Sequence, residues 1–134
     1  MKQSLLDTDI LSAFLKGHPK VIAKVTEHVN EFGFISLSII TYYEMLNGLL
    51  YKDAKKQLVQ FNSFVDLNKV LPLTIRTAKI AAGIQADLRK KGIEIGHTDT
   101  LIAGIAIANN LQLISNNTSH FERIKQLDLD NWVR

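Results

Sequence analysis

Three carboxylates stand beside or within apolar runs of this 134-residue chain: Asp7, Glu44 and Asp99. An ionised carboxylate that enters apolar surroundings loses much of its hydration, so it must be paired, hydrogen-bonded or bound to a cation. The neighbouring runs are Ser4 to Leu6, Ile39 to Leu46 and Thr100 to Ala106. Because the three carboxylates lie far apart in the sequence, we interpret them as ligands of one shared cation.

The absence of cysteine narrows the chemistry of that cation. With no cysteine and four histidines, the chain offers mainly oxygen ligands, which suit Mg²⁺ or Mn²⁺ better than softer metals. Such an ion can activate a water for in-line attack on a phosphodiester and can neutralise charge on the leaving oxygen. Carboxylates packed together should also repel one another, so we expect raised pKa values.

The pattern of apolar residues predicts the elements that hold these carboxylates. Short apolar runs alternate with longer helical segments, which is typical of an α/β fold with a parallel sheet covered on both faces. Predicted strands are Ser4–Leu6, Gly33–Leu37, Lys69–Leu73 and Leu111–Ser115, and predicted helices are Asp9–Lys16, Lys20–Glu31, Ile39–Tyr51, Ala54–Asp66, Thr74–Lys91 and Thr98–Asn109. Ligands bind such sheets at the carboxyl ends of the strands, where Asp7 and Asn117 fall.

Composition predicts one domain over residues 1–134. A hydrophobic content of 46% supports one core, and no repeat or Pro/Gly-rich linker divides the chain. No apolar stretch has the length of a membrane span or a signal sequence, so we expect a soluble, cytoplasmic protein. The net charge of +3 includes basic clusters at Lys52/Lys55/Lys56 and Arg89/Lys90/Lys91, which suit either a polyanionic partner or solvated helix ends.

Four blocks of the sequence, in order, resemble those of the PIN-domain family. They are Leu5 to Leu11, Ile35 to Ser38 with Tyr43 to Gly48, Gly96 to Ala103, and Leu113 to Asn117 through Phe121. The closing segment Leu127 to Trp132 resembles the tail of the family's VapC-type toxin branch. The resemblance spans essentially the whole chain, and the ordered set is more specific than any one block.

This resemblance implies a fold, an activity and partners. PIN domains have a central parallel sheet of short strands, here four to five, flanked by helices in a three-layer arrangement. VapC toxins are Mg²⁺- or Mn²⁺-dependent endoribonucleases, usually homodimers, that cleave RNA, commonly tRNA or rRNA, and are inhibited by a cognate antitoxin. By motif position, Asp7, Glu44 and Asp99 match the metal-binding acids, and Asn117 joins them as a catalytic candidate.

The last block departs from the family pattern at Asn117, where many PIN domains carry an acid. An amide oxygen can coordinate a metal but adds no negative charge, so a second metal ion should bind more weakly. His120 is expected at the surface, with phosphate contact as the alternative. Asp9 is expected to cap the first helix, and Asp87 to pair with Lys91.

Several alternatives remain open from the sequence. A PIN domain impaired by Asn117 would bind RNA without cleaving it, and a small flavodoxin-like phosphotransfer or nucleotide-binding domain would share the α/β pattern. No glycine-rich phosphate loop supports the flavodoxin-like reading. A DNA substrate also remains possible, because carboxylates alone do not distinguish the two nucleic acids, and His97 could contact either one.

Apolar surface around Glu44 exceeds what one helix face can bury, which indicates either an interface or a core. The residues concerned are Tyr42, Tyr43, Leu46, Leu49, Leu50 and Tyr51, with Phe61, Phe64 and Val65 in the next helix. Homodimerisation, antitoxin binding or burial within the fold would each account for them.

Overall fold

Five short parallel strands form the central sheet of the computed structural model, which describes residues 1–134. The strands are β1 (Ser4–Leu6), β2 (Ser36–Ser38), β3 (Lys69–Leu71), β4 (Gln112–Ile114) and β5 (Leu129–Asp130). Their order is β3-β2-β1-β4-β5, and all neighbouring strands pair in parallel. The predicted α/β fold with a parallel sheet of four to five short strands is confirmed.

Seven helices surround this sheet. They are α1 (Thr8–Leu15), α2 (Pro19–Phe32), α3 (Ile39–Tyr51), α4 (Lys55–Asp66), α5 (Ile75–Lys90), α6 (His97–Ala108) and α7 (Thr118–Phe121). The first six were predicted to within one residue at each end. None of the seven is long and apolar enough to cross a membrane.

Two elements, α7 and β5, were missed by the sequence pattern. Helix α7 is a single turn and β5 contains two residues, so neither is long enough to display a hydrophobic period. Gly33 was also wrongly placed at the start of a strand. It instead ends α2 in the left-handed region at φ 87°, a conformation that glycine adopts without steric cost.

Strand β1 lies at the centre of the sheet and is buried on both faces. Leu5 packs into a core formed largely with α5, α6 and β4, whereas Leu6 packs on the opposite face with residues of α1 and α2. This alternation follows from the two-residue period of a strand. The carboxyl ends of β1 and β4 are neighbours because Leu6 pairs with Ile114. Residues that follow these two strands therefore meet at one edge of the sheet.

Helices α5 and α6 approach each other closely at Gly104. A Cβ added to Gly104 would lie 2.8 Å from the Thr77 carbonyl oxygen and 3.0 Å from the Ala81 Cβ. The absence of a side chain therefore allows α6 to rest against α5. The first turn of α6 carries Asp99, so this packing also helps to place that carboxylate.

A buried imidazole joins α2 to the sheet. The Ser4 backbone N–H donates to Nε2 of His28 over 3.0 Å, and His28 Nδ1 lies 3.0 Å from the carbonyl oxygen of Phe34. Since Nε2 accepts, the hydrogen belongs on Nδ1, which donates to Phe34. Burial lowers the pKa of His28 and favours this neutral form.

Candidate active site

Asp7 lies between β1 and α1 and is only 6% exposed. Its backbone N–H donates to the Ile114 carbonyl oxygen over 2.9 Å, which fixes the residue between the two central strands. Oδ1 accepts the Thr8 N–H at 2.8 Å, and Oδ2 accepts the Ser115 hydroxyl at 2.8 Å. Both carboxylate oxygens are therefore held in place by neighbouring groups.

The carboxylate of Asp7 is poorly stabilised in spite of these bonds. Burial, followed by the charge of Asp9, raises the pKa of Asp7 from 3.8 to about 7, and Asp99 adds to the effect. The hydrogen bonds from Ser115 and Thr8 act in the opposite direction. At neutral pH, the site therefore holds a carboxyl group that is close to half protonated, as the packed carboxylates predict.

Asp9 belongs to the same cluster and does not cap α1, so that prediction is wrong. Asp7 itself is the N-cap residue, because the helix begins directly at the end of β1. The side chain of Asp9 accepts the Asn116 backbone N–H at 3.0 Å, from the connection that follows β4. Burial is the largest cause that raises the pKa of Asp9, and the charge of Asp99 also contributes.

Glu44 reaches this region through a hydroxyl group. The Thr8 hydroxyl donates to Oε1 of Glu44 over 2.7 Å and also lies 3.1 Å from the Thr41 hydroxyl oxygen. Thr8 follows Asp7 directly in the chain, so Glu44 is one residue removed from the buried carboxylate. No hydrogen bond joins Glu44 to Asp7 or Asp99 directly.

Asp99 is half-buried in the first turn of α6 and contacts a histidine of α7. His120 Nδ1 lies 3.3 Å from Asp99 Oδ2 and 3.1 Å from Asn117 Nδ2. The His120 side chain is 48% exposed, so it lies at the surface, as expected, but within the site. Its place was not apparent from the sequence because it depends on the single turn of α7.

Asn117 is tied to Asp7 by a chain of hydrogen bonds. Its backbone N–H donates to Ser115 Oγ over 2.9 Å, and that hydroxyl in turn donates to Asp7. Ser115 is completely buried. Ser115 was not predicted as a site residue from the sequence. Its position at the end of a predicted apolar strand, at the carboxyl edge of the sheet, is the signal that could have identified it. In the structure, Asp7, Glu44, Asp99 and Asn117 are linked to one another through hydrogen bonds and contacts of Thr8, Ser115 and His120.

Two other candidates lie elsewhere. Asp87 is exposed on α5 and makes no ion pair with Lys91, so the predicted pair is absent. His97 begins α6 but lines a cavity of about 360 Å³ between α5 and α6, together with Gln85 and Arg89. Neither residue makes a hydrogen bond to the carboxylates of the site.

The donors at this edge suit a hard divalent cation. They are carboxylate, amide and hydroxyl oxygens, and Asp7 is a buried carboxylate with negative charges nearby. No three acidic or histidine side chains approach closely enough to enclose a metal ion by themselves. Mg²⁺ commonly retains several waters and binds through one or two carboxylates, so an open arrangement fits its chemistry. Metal binding by Asp7, Glu44 and Asp99 stays a prediction.

A comparison with known protein families gives a match that covers most of the sequence. Residues 4–127 match the PIN domain family, described as "PIN domain". The chain therefore belongs to the PIN-domain family. The family resemblance recognised in the sequence is confirmed.

Within this family, the chain is similar to VapC proteins. It is 31% identical over 134 residues to the tRNA(fMet)-specific endonuclease VapC of Shigella flexneri, covering 98% of this chain and 99% of the relative. It is 30% identical over 129 residues to ribonuclease VapC2 of Rickettsia felis, covering 96% of each. A chain from the DNA-bound VapBC crystal structure of Salmonella typhimurium superposes with a TM-score of 0.89 at 27% identity, covering 98% of this chain and 99% of that one.

Apolar residues around Glu44 divide between the core and the surface. Tyr42, Leu46 and Leu49 pack against a small cluster that contains the fully buried Phe61. In contrast, Tyr43, Leu50 and Tyr51 expose 65%, 58% and 89% of their surface, respectively. Burial within the fold thus accounts for only part of the apolar surplus on α3.

Proposed function

We propose that this chain is the toxin of a toxin–antitoxin pair and acts as an Mg²⁺- or Mn²⁺-dependent endoribonuclease. Family membership and the ribonuclease names of its relatives support the reaction class. The observation that carries the proposal is Asp7, a buried carboxyl group with a pKa of about 7 at the carboxyl edge of the sheet. A cation would remove the cost of keeping this group ionised.

Asp7 and Asp99 are the central ligands in this proposal, with Glu44 as the third acid. A bound divalent ion supplies Lewis-acid stabilisation of the phosphate and a more acidic water. Ser115 and Thr8 fix both oxygens of Asp7, so this carboxylate is oriented before any ligand arrives. Orientation of this kind limits the rearrangement needed at the moment of reaction.

Asn117 and His120 act on the other side of the site. His120 contacts both Asn117 and Asp99, and so restrains the partly exposed carboxylate of Asp99. Asn117 has no charge, so it leaves less negative charge than an acid would at this position. We therefore propose one firmly bound metal ion, with Asn117 holding a water or a substrate oxygen.

The proposed partners are RNA, a cognate antitoxin and a second copy of the chain. VapBC from Rickettsia felis, in a crystal structure with a promoter DNA fragment, contains a chain that superposes with a TM-score of 0.86 at 28% identity, covering 96% of this chain and 98% of that one. By this similarity, an antitoxin should bind the present chain. The Shigella flexneri relative makes tRNA a reasonable first substrate to test. The cytoplasm, where tRNA is found, is the proposed location.

The reaction can be tested with purified protein and a tRNA pool, with either EDTA, Mg²⁺ or Mn²⁺ present. We expect cleavage only with metal, and a loss on the order of a hundredfold or more in Asp7→Asn and Asp99→Asn. Asp87→Asn is the matched control, because it removes the same charge from an exposed position on α5. Calorimetric Mn²⁺ titration of each variant reports metal binding separately from turnover.

Induced expression in cells tests the toxin role. Wild-type chain should arrest growth, whereas Asp99→Asn should not. Metal-independent RNA binding without cleavage by the wild-type chain would instead support the catalytically impaired PIN domain. Unchanged cleavage by either Asp7→Asn or Asp99→Asn would contradict the proposed site.

A further inference from the structure

A groove leads away from the candidate active site between α1 and α3, with α4 along one side. It encloses about 210 Å³, and Glu44 lies in its lining. Two rows of residues face each other across it, each with a spacing of four that keeps them on one helix face. One row consists of Thr8 and Ser12 on α1 and Lys16 at its C-cap, and the other of Glu44 and Gly48 on α3 and Lys52 at its C-cap. All of these residues except Thr8 line the groove.

The two rows begin at the same hydrogen bond. Thr8 donates to Glu44 over 2.7 Å, so the near end of the groove adjoins Asp7. At a rise of 1.5 Å per residue, eight residues carry each helix about 12 Å from this point to its lysine. The groove is therefore continuous with the site and ends at two cations, Lys16 and Lys52.

Neither lysine has an anionic partner within the chain. The ion pairs of the structure involve the N-terminal amine, Lys2 and His120. Lys16 and Lys52 end their helices, so compensation of the helix dipole explains a cation at each end. Dipole compensation does not explain why both helices end beside one groove that starts at the carboxylates.

Gly48 widens the groove at its middle. Glycine inside a helix costs about 1 kcal/mol relative to alanine, so its presence calls for a compensating reason. Nothing lies within 4 Å of the position that a Cβ would take, so packing within the chain does not require a glycine. Ser12, also small, faces it from α1. The open space at Gly48 is therefore available to a ligand that approaches the helix backbone.

We propose that this groove binds the RNA segment that neighbours the scissile phosphate, with Lys16 and Lys52 each contacting a different phosphate of that segment. This inference rests on the proposed nuclease function and extends it to a substrate path. The apolar floor, formed by Leu15, Met45 and Leu49, suits the face of a base, while the side chains of Gln57 and Gln60 on α4 provide polar contacts at the rim. The two positive charges complement a nucleic acid backbone.

The test measures binding of a labelled, mixed-sequence single-stranded oligoribonucleotide at several salt concentrations. All variants carry Asp7→Asn, so that binding is measured without cleavage. Lys16→Gln/Lys52→Gln should weaken binding roughly tenfold and reduce the slope of log K against log salt by about 1.4, since each phosphate contact on a single strand contributes about 0.7. The matched control, Lys24→Gln/Lys125→Gln, removes the same charge from α2 and from the connection after α7 and should change both quantities much less.

Gly48→Gln provides a second, charge-neutral test. It should raise the thermal stability, because glutamine is a better helix former than glycine, while it weakens RNA binding by filling the groove. A loss of RNA affinity together with a higher melting temperature cannot be attributed to misfolding. If Lys16→Gln/Lys52→Gln and the control Lys24→Gln/Lys125→Gln weaken RNA binding equally, the proposal is overturned. Unchanged RNA affinity in Gly48→Gln would overturn it as well.

Three further outcomes separate the groove from the nuclease function. If wild-type chain cleaves RNA and the groove variants bind it normally, the nuclease proposal stands and the groove proposal fails. If the groove variants bind RNA normally but no longer bind the cognate antitoxin, the groove belongs to the protein partner. If wild-type chain does not cleave RNA, the binding measurements still decide whether the groove receives it.

Discussion

Replacement of Asp7 by asparagine should stabilise the fold while it abolishes activity. The wild-type carboxyl group has a pKa of about 7 in the folded chain, against 3.8 when it is unperturbed. Asparagine has nearly the same shape, keeps an oxygen for the Thr8 N–H, and can donate its amide hydrogen to Ser115 Oγ. The substitution therefore removes a buried charge without opening a cavity.

The magnitude of this effect follows from the pKa difference. An acid whose pKa is raised by folding binds more protons when folded, so wild-type stability falls as pH rises between about 4 and about 7. At about 1.4 kcal/mol per pH unit, the full difference between 3.8 and about 7 corresponds to ~4 kcal/mol. Asparagine does not titrate in this range, so its advantage should grow by ~3 kcal/mol between pH 5 and pH 8.

Urea unfolding of both proteins in EDTA, at one protein concentration and several pH values, measures this difference directly. Subtracting wild type from variant removes the pH dependence of the other groups. Addition of Mg²⁺ at pH 8 should then stabilise wild type, because a ligand of the folded state raises its stability. The difference in free energy of unfolding between Asp7→Asn and wild type should therefore become smaller. If the difference in unfolding free energy between the two proteins does not vary with pH, the assigned pKa is refuted. If Mg²⁺ does not change this difference, the result counts against metal binding at Asp7.

Three further predictions concern single contacts. Ser115→Ala removes a hydrogen bond that lowers the pKa of Asp7, so the acidic limb of the pH profile for cleavage should shift to higher pH. Gly104→Ala should destabilise by about 1 to 3 kcal/mol in urea unfolding because its Cβ would meet the Thr77 carbonyl oxygen, whereas Gly83→Ala, with open space around it, should stabilise by up to about 1 kcal/mol. Burial lowers the pKa of His28, so its contribution to stability is complete above about pH 6.5 and is lost as pH falls; His28→Gln should lack this part of the acid slope in urea unfolding.

Elements with a full hydrophobic period were predictable from the sequence. Helix α5 illustrates this, because the predicted helix Thr74–Lys91 matches it to within one residue at each end, and its N-cap Thr74 forms a capping box with Thr77. Gly17 and Gly92 follow the C-terminal ends of α1 and α5, and both adopt positive φ, which glycine does without steric cost. These features depend on neighbouring residues alone, so local chemistry is sufficient to identify them.

Contacts within the site were harder to predict from the sequence, because they join segments that lie far apart in the chain. Asp9 was assigned as a cap on local grounds, yet its partner is the backbone of Asn116, more than a hundred residues away. A sequence pattern shows that both residues follow apolar runs, but it does not show which donor meets which acceptor. His120 was expected at the surface, where it lies, but its contact with Asp99 was not predictable, since the single turn of α7 that presents it is too short to recognise.

The four acids at the carboxyl edge of the sheet, Asp7, Asp9, Asp99 and Glu44, fall into two groups by their effect on the pKa of Asp7. Asp9 and Asp99 raise the pKa of Asp7, whereas Glu44 is not among the causes of that shift and meets the site through the Thr8 hydroxyl. Glu44 also begins the row that continues through Gly48 to Lys52. Asp7 and Asp99 should consequently dominate metal affinity, while Glu44 lies where the proposed metal centre and the RNA path meet. On this basis Glu44→Gln should weaken metal binding less than Asp99→Asn does, even though both substitutions remove one negative charge.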